Sequence, residues 1–454
     1  MNPTHQDGTF PVISNLKAAV TQIDITPDNV ESGIDIVGHR RIVNKVRDPL
    51  RASVLLLDDG EIKIAIVTLD LIYAFEPMLR GIRSIIENET GILGANVLVV
   101  ASHTHSAPFC DKEDEFVQSV IKKVGTAAKD ASSKFKTVSI GYGEDAISFS
   151  INRRKVINGK AIIRMNPDGP NDPRVKVLRF DDGKSLTPMA VMMHAICHPC
   201  CFTWGDKGSQ PFPDGYPMMS ADFPGEARNF VEQIYNEETK VLFLQGCAGD
   251  IRPNLKGHPY RCADEADIQW CGRDLGGAVA RSLARQVTRE ELKTRETFYK
   301  IRIASEIVEL PGKESPVLAE LMAVKIGPFL FLTMPGEPMV EYSFKLEAAI
   351  ADRAIPIVLG YTNGRLGYIA TTDSYEVGGY EPEMSPLKPE AEEVILEALG
   401  RLSDKVVGDV IATFSKHPQD IAKREKWDVL EDDGGARFEC HMLNDGTRCL
   451  TKEL

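Results

Sequence analysis

The residues best suited to chemistry lie in the stretch 96–108, where five small or branched apolar residues, Val97 to Ala101, run into His103-Thr104-His105 and stop at Pro108. A short apolar run bounded by turn residues reads as a buried strand whose C-terminal end reaches a cleft. Side chains alternate along a strand, so His103 and His105 are expected on one face, with α-carbons roughly 7 Å apart. Two imidazoles side by side can hold one divalent ion, or one can bind it while the other moves protons beside it. The alternative for an isolated His-x-His is that both rings cap the strand and bond to loop carbonyls.

The same pattern, an apolar run ending in a polar residue, recurs along the chain. The run 62–69 ends at Asp70, which reads either as a turn residue or as a carboxylate orienting a metal-bound histidine. Strands near 138–142 and 146–151 lead to Asn152-Arg153-Arg154, arginines that can polarise a substrate oxygen or form a solvated corner. The run 188–199 ends in His198-Pro199. His194 and His198 have the spacing of a helical ligand pair, but the run reads as strand, and the proline puts His198 in an extended turn. That leaves His194 as a core histidine. Cys197, Cys200 and Cys201 lack a second pair at zinc-ribbon spacing and read as buried thiols. The run 241–250 enters a glycine turn, where backbone N–H groups can approach a ligand closely, and Arg252 follows. A strand over 326–334 is expected to end in Pro335-Gly336-Glu337-Pro338, a glutamate isolated between prolines. The run 357–363 repeats the pattern, with Tyr368, Tyr375 and Tyr380 beyond it. The stretch 202–219, rich in glycine, proline and aromatics including Trp204, is the candidate pocket wall or lid.

Helices must position these strand ends. Helical spacing covers 77–90, 113–128, the segment opened by Ser220 and reaching Ile234, 261–286 and 389–402, so strands and helices alternate and an α/β fold of mixed sheets flanked by helices is expected. In the 454-residue chain, residues 15–405 read as the catalytic domain and 406–454, charged and thinly apolar, as a C-terminal extension. The formal charge of −13 argues against nucleic acid and against stable association with an anionic membrane. The first eight residues lack a basic segment and an apolar core, and no apolar run of about 18 residues occurs, so a cytoplasmic location is expected. Nine scattered cysteines fit free thiols in that compartment. Homo-oligomerisation is left open.

The ordered set His103-Thr104-His105, Asn152-Arg153, His198-Pro199, Gly249-Asp250-Ile251-Arg252-Pro253, Pro335-Gly336-Glu337 and Tyr368-Ile369-Ala370-Thr371-Thr372 with Tyr380 resembles the neutral, non-lysosomal ceramidases, over the span of their N-terminal zinc amidase domain. The resemblance implies Zn²⁺ as cofactor, with His103, His198, Glu337 and Tyr368 as its ligands and His105, Arg153 and Tyr380 around the scissile amide. The residue types agree. Imidazole, carboxylate and phenol oxygen suit Zn²⁺, whose Lewis acidity lowers the pKa of water to about 7. Arg153 and Tyr380 would stabilise a developing oxyanion, and His105 would move protons between water and leaving amine.

Two departures shape the expected substrate. Where the family's glycine-turn motif has a serine, this chain has Arg252, which leaves metal-activated water to do the work. Arg252 brings a permanent bidentate donor, so it is expected to contact a carboxylate, phosphate or similar group, with Asp250 and Trp204 beside it. The family's C-terminal β-sandwich and signal peptide are not recognised, so a soluble N-acyl compound is expected rather than ceramide. The same centre acting on an ester, lactone or glycosidic bond is the alternative, followed by a metal- or ligand-binding homologue without turnover.

Overall fold

Residues 52–57 and 64–69 are buried at every position and apolar at all but Ser53 and Thr68, and strands that bury both faces need a layer on each side. The computed structural model supplies both layers. It describes residues 14–36, 41–185, 187–201, 218–235, 238–255, 264–286 and 298–407, and the strands at 425–431, 437–442 and 448–452. Among the described residues the largest sheet has eight strands, in the order Lys240–Gln245, Pro188–Ala195, Arg174–Asp182, Lys136–Ala146, Lys17–Asp24, Arg51–Asp58, Lys63–Leu69 and Val97–Ala101.

Alternate residues of one strand serve opposite layers. Val54 and Leu56 join the core under helices Glu76–Thr90, Glu115–Ser132, Asp222–Ile234 and Glu265–Arg285. Leu55 and Leu57 pack instead with Met322, Val324, Phe331 and Ile357 of a second, four-stranded sheet. The far face of that sheet, through Leu321, Leu330 and Val358, is covered by helices Glu341–Ile350 and Ala391–Val407, which contribute Leu346, Ile395 and Leu399. The layers therefore run helices, sheet, sheet, helices, an α/β fold of mixed sheets flanked by helices. Each fully buried leucine or isoleucine contributes about 1.5–3 kcal/mol.

One expected strand is two. The run 326–334 breaks at Gly327-Pro328, where Gly327 has φ 57° and Pro328 has no N–H to give, and Val317–Ile326 turns back to pair antiparallel with Phe329–Thr333. Residues 408–454 form a separate unit whose described strands, Glu425–Glu431, Arg437–Met442 and Arg448–Lys452, make an antiparallel meander. No helix among the described residues is long and apolar enough to cross a membrane.

The parallel pairs of the large sheet position the site. Lys63–Leu69 runs parallel to Val97–Ala101 at one end of the strand order, and Pro188–Ala195 to Lys240–Gln245 at the other. Segment 360–363 ties the two together. Gly360 N donates to Gln245 O at 3.2 Å, Ala101 N to Tyr361 O at 3.0 Å, and Asn363 N to Val99 O at 2.9 Å. The carboxyl ends of both pairs thus open on one place, where α/β sheets commonly hold ligands.

Candidate metal centre

The histidine pair does not continue its strand as expected. Val97–Ala101 ends two residues before His103, whose φ of 67° turns the chain and cancels the alternation. Backbone bonds hold the turn, from His103 N to Leu71 O at 2.9 Å and from His105 N to Pro199 O at 3.0 Å. The two rings nonetheless meet, edge to face, with Nε2 atoms 3.2 Å apart. His198 comes from the turn after Pro188–Ala195, pinned by its amide to Ile251 O at 3.1 Å, and its ring centre is 4.9 Å from that of His103. Glu337 enters from the second half of the chain through a short parallel ladder in which it pairs with Tyr368. Gly249 is required here for closeness: its amide donates to Pro338 O at 2.8 Å, and a Cβ would lie 2.6 Å from Glu337 O.

The protons are distributed in a way that matters. His103 Nδ1 gives its hydrogen to Ile72 O at 2.9 Å, and His198 Nδ1 to Ala248 O at 2.5 Å. Each Nε2 therefore presents a lone pair. Both face Glu337 Oε2, at 3.3 Å from His103 and 3.1 Å from His198. Burial pushes His198 down to about 4, so its ring is neutral. Three acceptor atoms thus converge on one point, the donor set of a structural or catalytic transition-metal site. His103, His105 and His198 also form a group whose nitrogens lie within 4.8 Å of one another and could hold a metal ion.

Arg153 sits beside this focus. Its strand, Ser150–Ile157, carries it in buried, and its Nη2 donates to Gly249 O at 2.7 Å and to Tyr368 Oη at 3.1 Å. Its Nε donates to Glu381 Oε1 at 2.8 Å, and Arg154 Nη1 donates to Glu381 Oε2 at 2.5 Å. The guanidinium carbon lies 5.6 Å from the ring centre of Tyr368 and 5.5 Å from that of Tyr380. Tyr380, the first residue of a short helix, is 39% exposed, which puts it at a rim. Burial, then the charge of Glu337, raises Tyr368 well above the usual phenol value, so its hydroxyl keeps its proton.

The remaining candidates fall elsewhere. Asp250, expected at the substrate, is fully buried and accepts from Asn152 Nδ2 at 2.7 Å and Val340 N at 2.9 Å, which makes it part of the frame. Burial drives its carboxyl up to about 8. Arg252 lies on the short strand Ile251–Pro253, its backbone paired opposite Ile151, and is 9% exposed. Asp70 orients no histidine: it accepts from Arg228 Nη1 and from Arg51 N at 2.8 Å, and the carbonyls of Ile72 and Ala248 do that work instead. His194 is a core residue bonded through Nε2 to Val358 O at 3.0 Å. Cys197, Cys200 and Cys201 are buried free thiols. Trp204 and most of the 202–219 stretch lie outside the described residues. Three residues near the centre carried no sequence signal of their own: Tyr73, which donates to Glu337 Oε1, Tyr361, whose ring centre is 4.3 Å from that of His103, and Glu381.

Two solved structures share this fold over nearly the whole chain. The neutral ceramidase from Pseudomonas aeruginosa superposes with a TM-score of 0.69 at 14% identity, covering 96% of this chain and 88% of that one. A ceramidase complexed with C2 gives 0.69 at 14% identity, covering 94% and 84%. The fold is that of the neutral ceramidases. No protein-family profile matches the sequence, and no curated protein sequence does. On the ceramidase-like fold the candidate centre occupies the carboxyl ends of the parallel strand pairs, reached by His103, His198 and Glu337 from three distant parts of the chain.

Proposed function

We propose that this chain is a Zn²⁺-dependent hydrolase that cleaves an amide bond of a small polar or anionic molecule. The observation that carries this reading is the convergence of the His103 Nε2 and His198 Nε2 lone pairs on Glu337 Oε2 at 3.3 and 3.1 Å, with both Nδ1 protons given to backbone carbonyls. Buried acceptors without a donor between them repel, and a cation resolves the repulsion. His103, His198 and Glu337 would hold the ion, with the Tyr368 hydroxyl as the fourth ligand that the family resemblance implies. When bound, zinc supplies Lewis acidity and makes water a nucleophile near neutral pH.

The chain's own residues do the rest. His105 Nε2, half-buried beside His103, takes the proton released by the nucleophile and passes it to the departing nitrogen, so that amide and water become acid and amine. Arg153 commits Nε and Nη2 within the protein and has Nη1 to offer the carbonyl oxygen as it gains charge. Tyr380 adds its hydroxyl from the rim, and Arg252 receives the anionic end of the substrate. The ceramidase fold supports an amide as the bond broken.

Elemental analysis of the purified protein, with a panel of N-acyl amino acids, esters and glycosides, tests the reading. Stoichiometric zinc and hydrolysis of an N-acyl compound, lost on chelation and regained on adding zinc, are expected. Turnover indifferent to chelation overturns the metal's part, and cleavage confined to esters or glycosides overturns the bond.

A further inference from the structure

We propose that Tyr73 is a positioning residue that keeps Glu337 a one-oxygen ligand; the proposal rests on the metal-hydrolase reading above. The two carboxylate oxygens of Glu337 have separate duties. Oε2 faces the imidazoles, 3.3 Å from His103 Nε2 and 3.1 Å from His198 Nε2, while Oε1 accepts from Tyr73 Oη. Bringing Oε1 round to the ion would break that bond and strand a phenol in a buried place.

Tyr73 has little freedom to follow. It is 3% exposed, and its ring lies edge-on to Phe75 and His103 at 5.6 and 5.1 Å between centres, with Tyr361 at 6.2 Å. The guanidinium of Arg365 lies 5.9 Å from its centre. The preceding residue acts on the other ligand: Ile72 O takes the Nδ1 proton of His103 at 2.9 Å, and Leu71 O takes its amide, also at 2.9 Å. Three consecutive residues after the strand Lys63–Leu69 thus set the tautomer of one ligand and the binding mode of another. A carboxylate that binds through both oxygens uses up a coordination position; one held to a single oxygen leaves that position for water or the substrate carbonyl.

Cobalt(II) as a zinc substitute reads this directly, because its visible absorption weakens as coordination number rises. Tyr73→Phe keeps the ring and loses the hydroxyl. It is expected to weaken the cobalt band relative to wild type and to lower cobalt affinity about tenfold. A band of unchanged intensity overturns the proposal whatever the affinity. Should the variant not fold, infrared difference spectra of the wild-type protein on adding zinc decide the matter. A wide splitting between the asymmetric and symmetric carboxylate stretches supports one-oxygen binding, and a narrow one overturns it. Wild-type protein that takes up neither cobalt nor zinc overturns the metal-hydrolase reading itself, and this proposal with it; normal metal uptake with no Tyr73 effect overturns this proposal alone.

Discussion

Tyr361 lays its ring 4.3 Å from that of His103 while its backbone joins the two segments that carry candidate ligands. Its carbonyl accepts from Ala101 N at 3.0 Å and its amide donates to Gly336 O at 2.8 Å. It does so at φ 54°, a conformation that costs a bulky residue about 1–3 kcal/mol. Its hydroxyl is buried with no hydrogen-bond partner among the described residues. Removing that oxygen alone should therefore cost nothing: Tyr361→Phe is expected to match wild type or gain up to about 1 kcal/mol in urea unfolding. Tyr361→Ala, which also removes the ring against His103, should lose about 3–5 kcal/mol. A phenylalanine variant clearly less stable than wild type would mean that the hydroxyl is satisfied by water or ligand.

Glu381 compensates two buried guanidiniums at once, with its side chain 1% exposed. Burial would raise its carboxyl, but Arg153 and Arg154 hold it below the usual range. Glu381→Gln leaves both cations short of a counter-charge and should cost about 3 kcal/mol in the same unfolding measurement. With Arg153 released from its Nε anchor, kcat should fall more than KM rises on whichever substrate the panel identifies. Equal changes in both would argue that Arg153 only binds the ground state.

The apolar runs were legible because strands buried on both faces must be apolar throughout, and the polar residues ending them mark where such strands surface. That logic singled out His103, His198 and Glu337, which the fold brings together. It failed on local geometry. Nothing in a non-glycine sequence announces the positive φ of His103, so alternation was the wrong guide to how the two rings meet. It also failed on partners. Tyr73 lies 264 positions from Glu337, and Glu381 lies 228 from Arg153, so each pairing depends on which loops the layered sheets bring face to face. Asp70 misled for the same reason, since an acid at a strand end looks alike whether it orients a ligand or, as here, pairs with Arg228.

His194 gives the fold a pH dependence of known sign. Burial, then the charge of Lys176, pushes its pKa down to about 3, against 6.5 in the unfolded chain. The unfolded state therefore takes up the proton first as pH falls. The stability associated with neutral His194 is complete above about pH 6.5 and is lost toward pH 3, at about 1.4 kcal/mol per pH unit. His194→Gln keeps a donor for Val358 O without titrating in this range. Between pH 6.5 and 5 the wild type should lose about 2 kcal/mol more than the variant. The slope left in the variant belongs to other groups, His198 among them, and parallel curves for the two proteins would show that His194 is already protonated or solvated in the native state.

The three histidines are close enough to share one ion, and their backbone anchors predict unequal roles. His103 and His198 are almost wholly buried and have their rings fixed through Nδ1 by carbonyls, the arrangement that orients a ligand and raises its basicity. His105 is half-buried, its amide held by Pro199 O, with its Nε2 beside that of His103 rather than turned to Glu337 Oε2. His103→Ala and His198→Ala should each lose zinc on dialysis and lose the thermal stabilisation that zinc confers, which reaches about 4 kcal/mol at a thousandfold excess over Kd. His105→Ala should keep zinc, with affinity within about tenfold of wild type, while turnover falls by about 10²–10⁴. If His105→Ala sheds the metal as readily as His103→Ala, the centre is a three-histidine site. The proton would then have to travel through another group, and the half-exposed Tyr380, whose ring centre lies 5.4 Å from that of Tyr368, is the candidate at the rim.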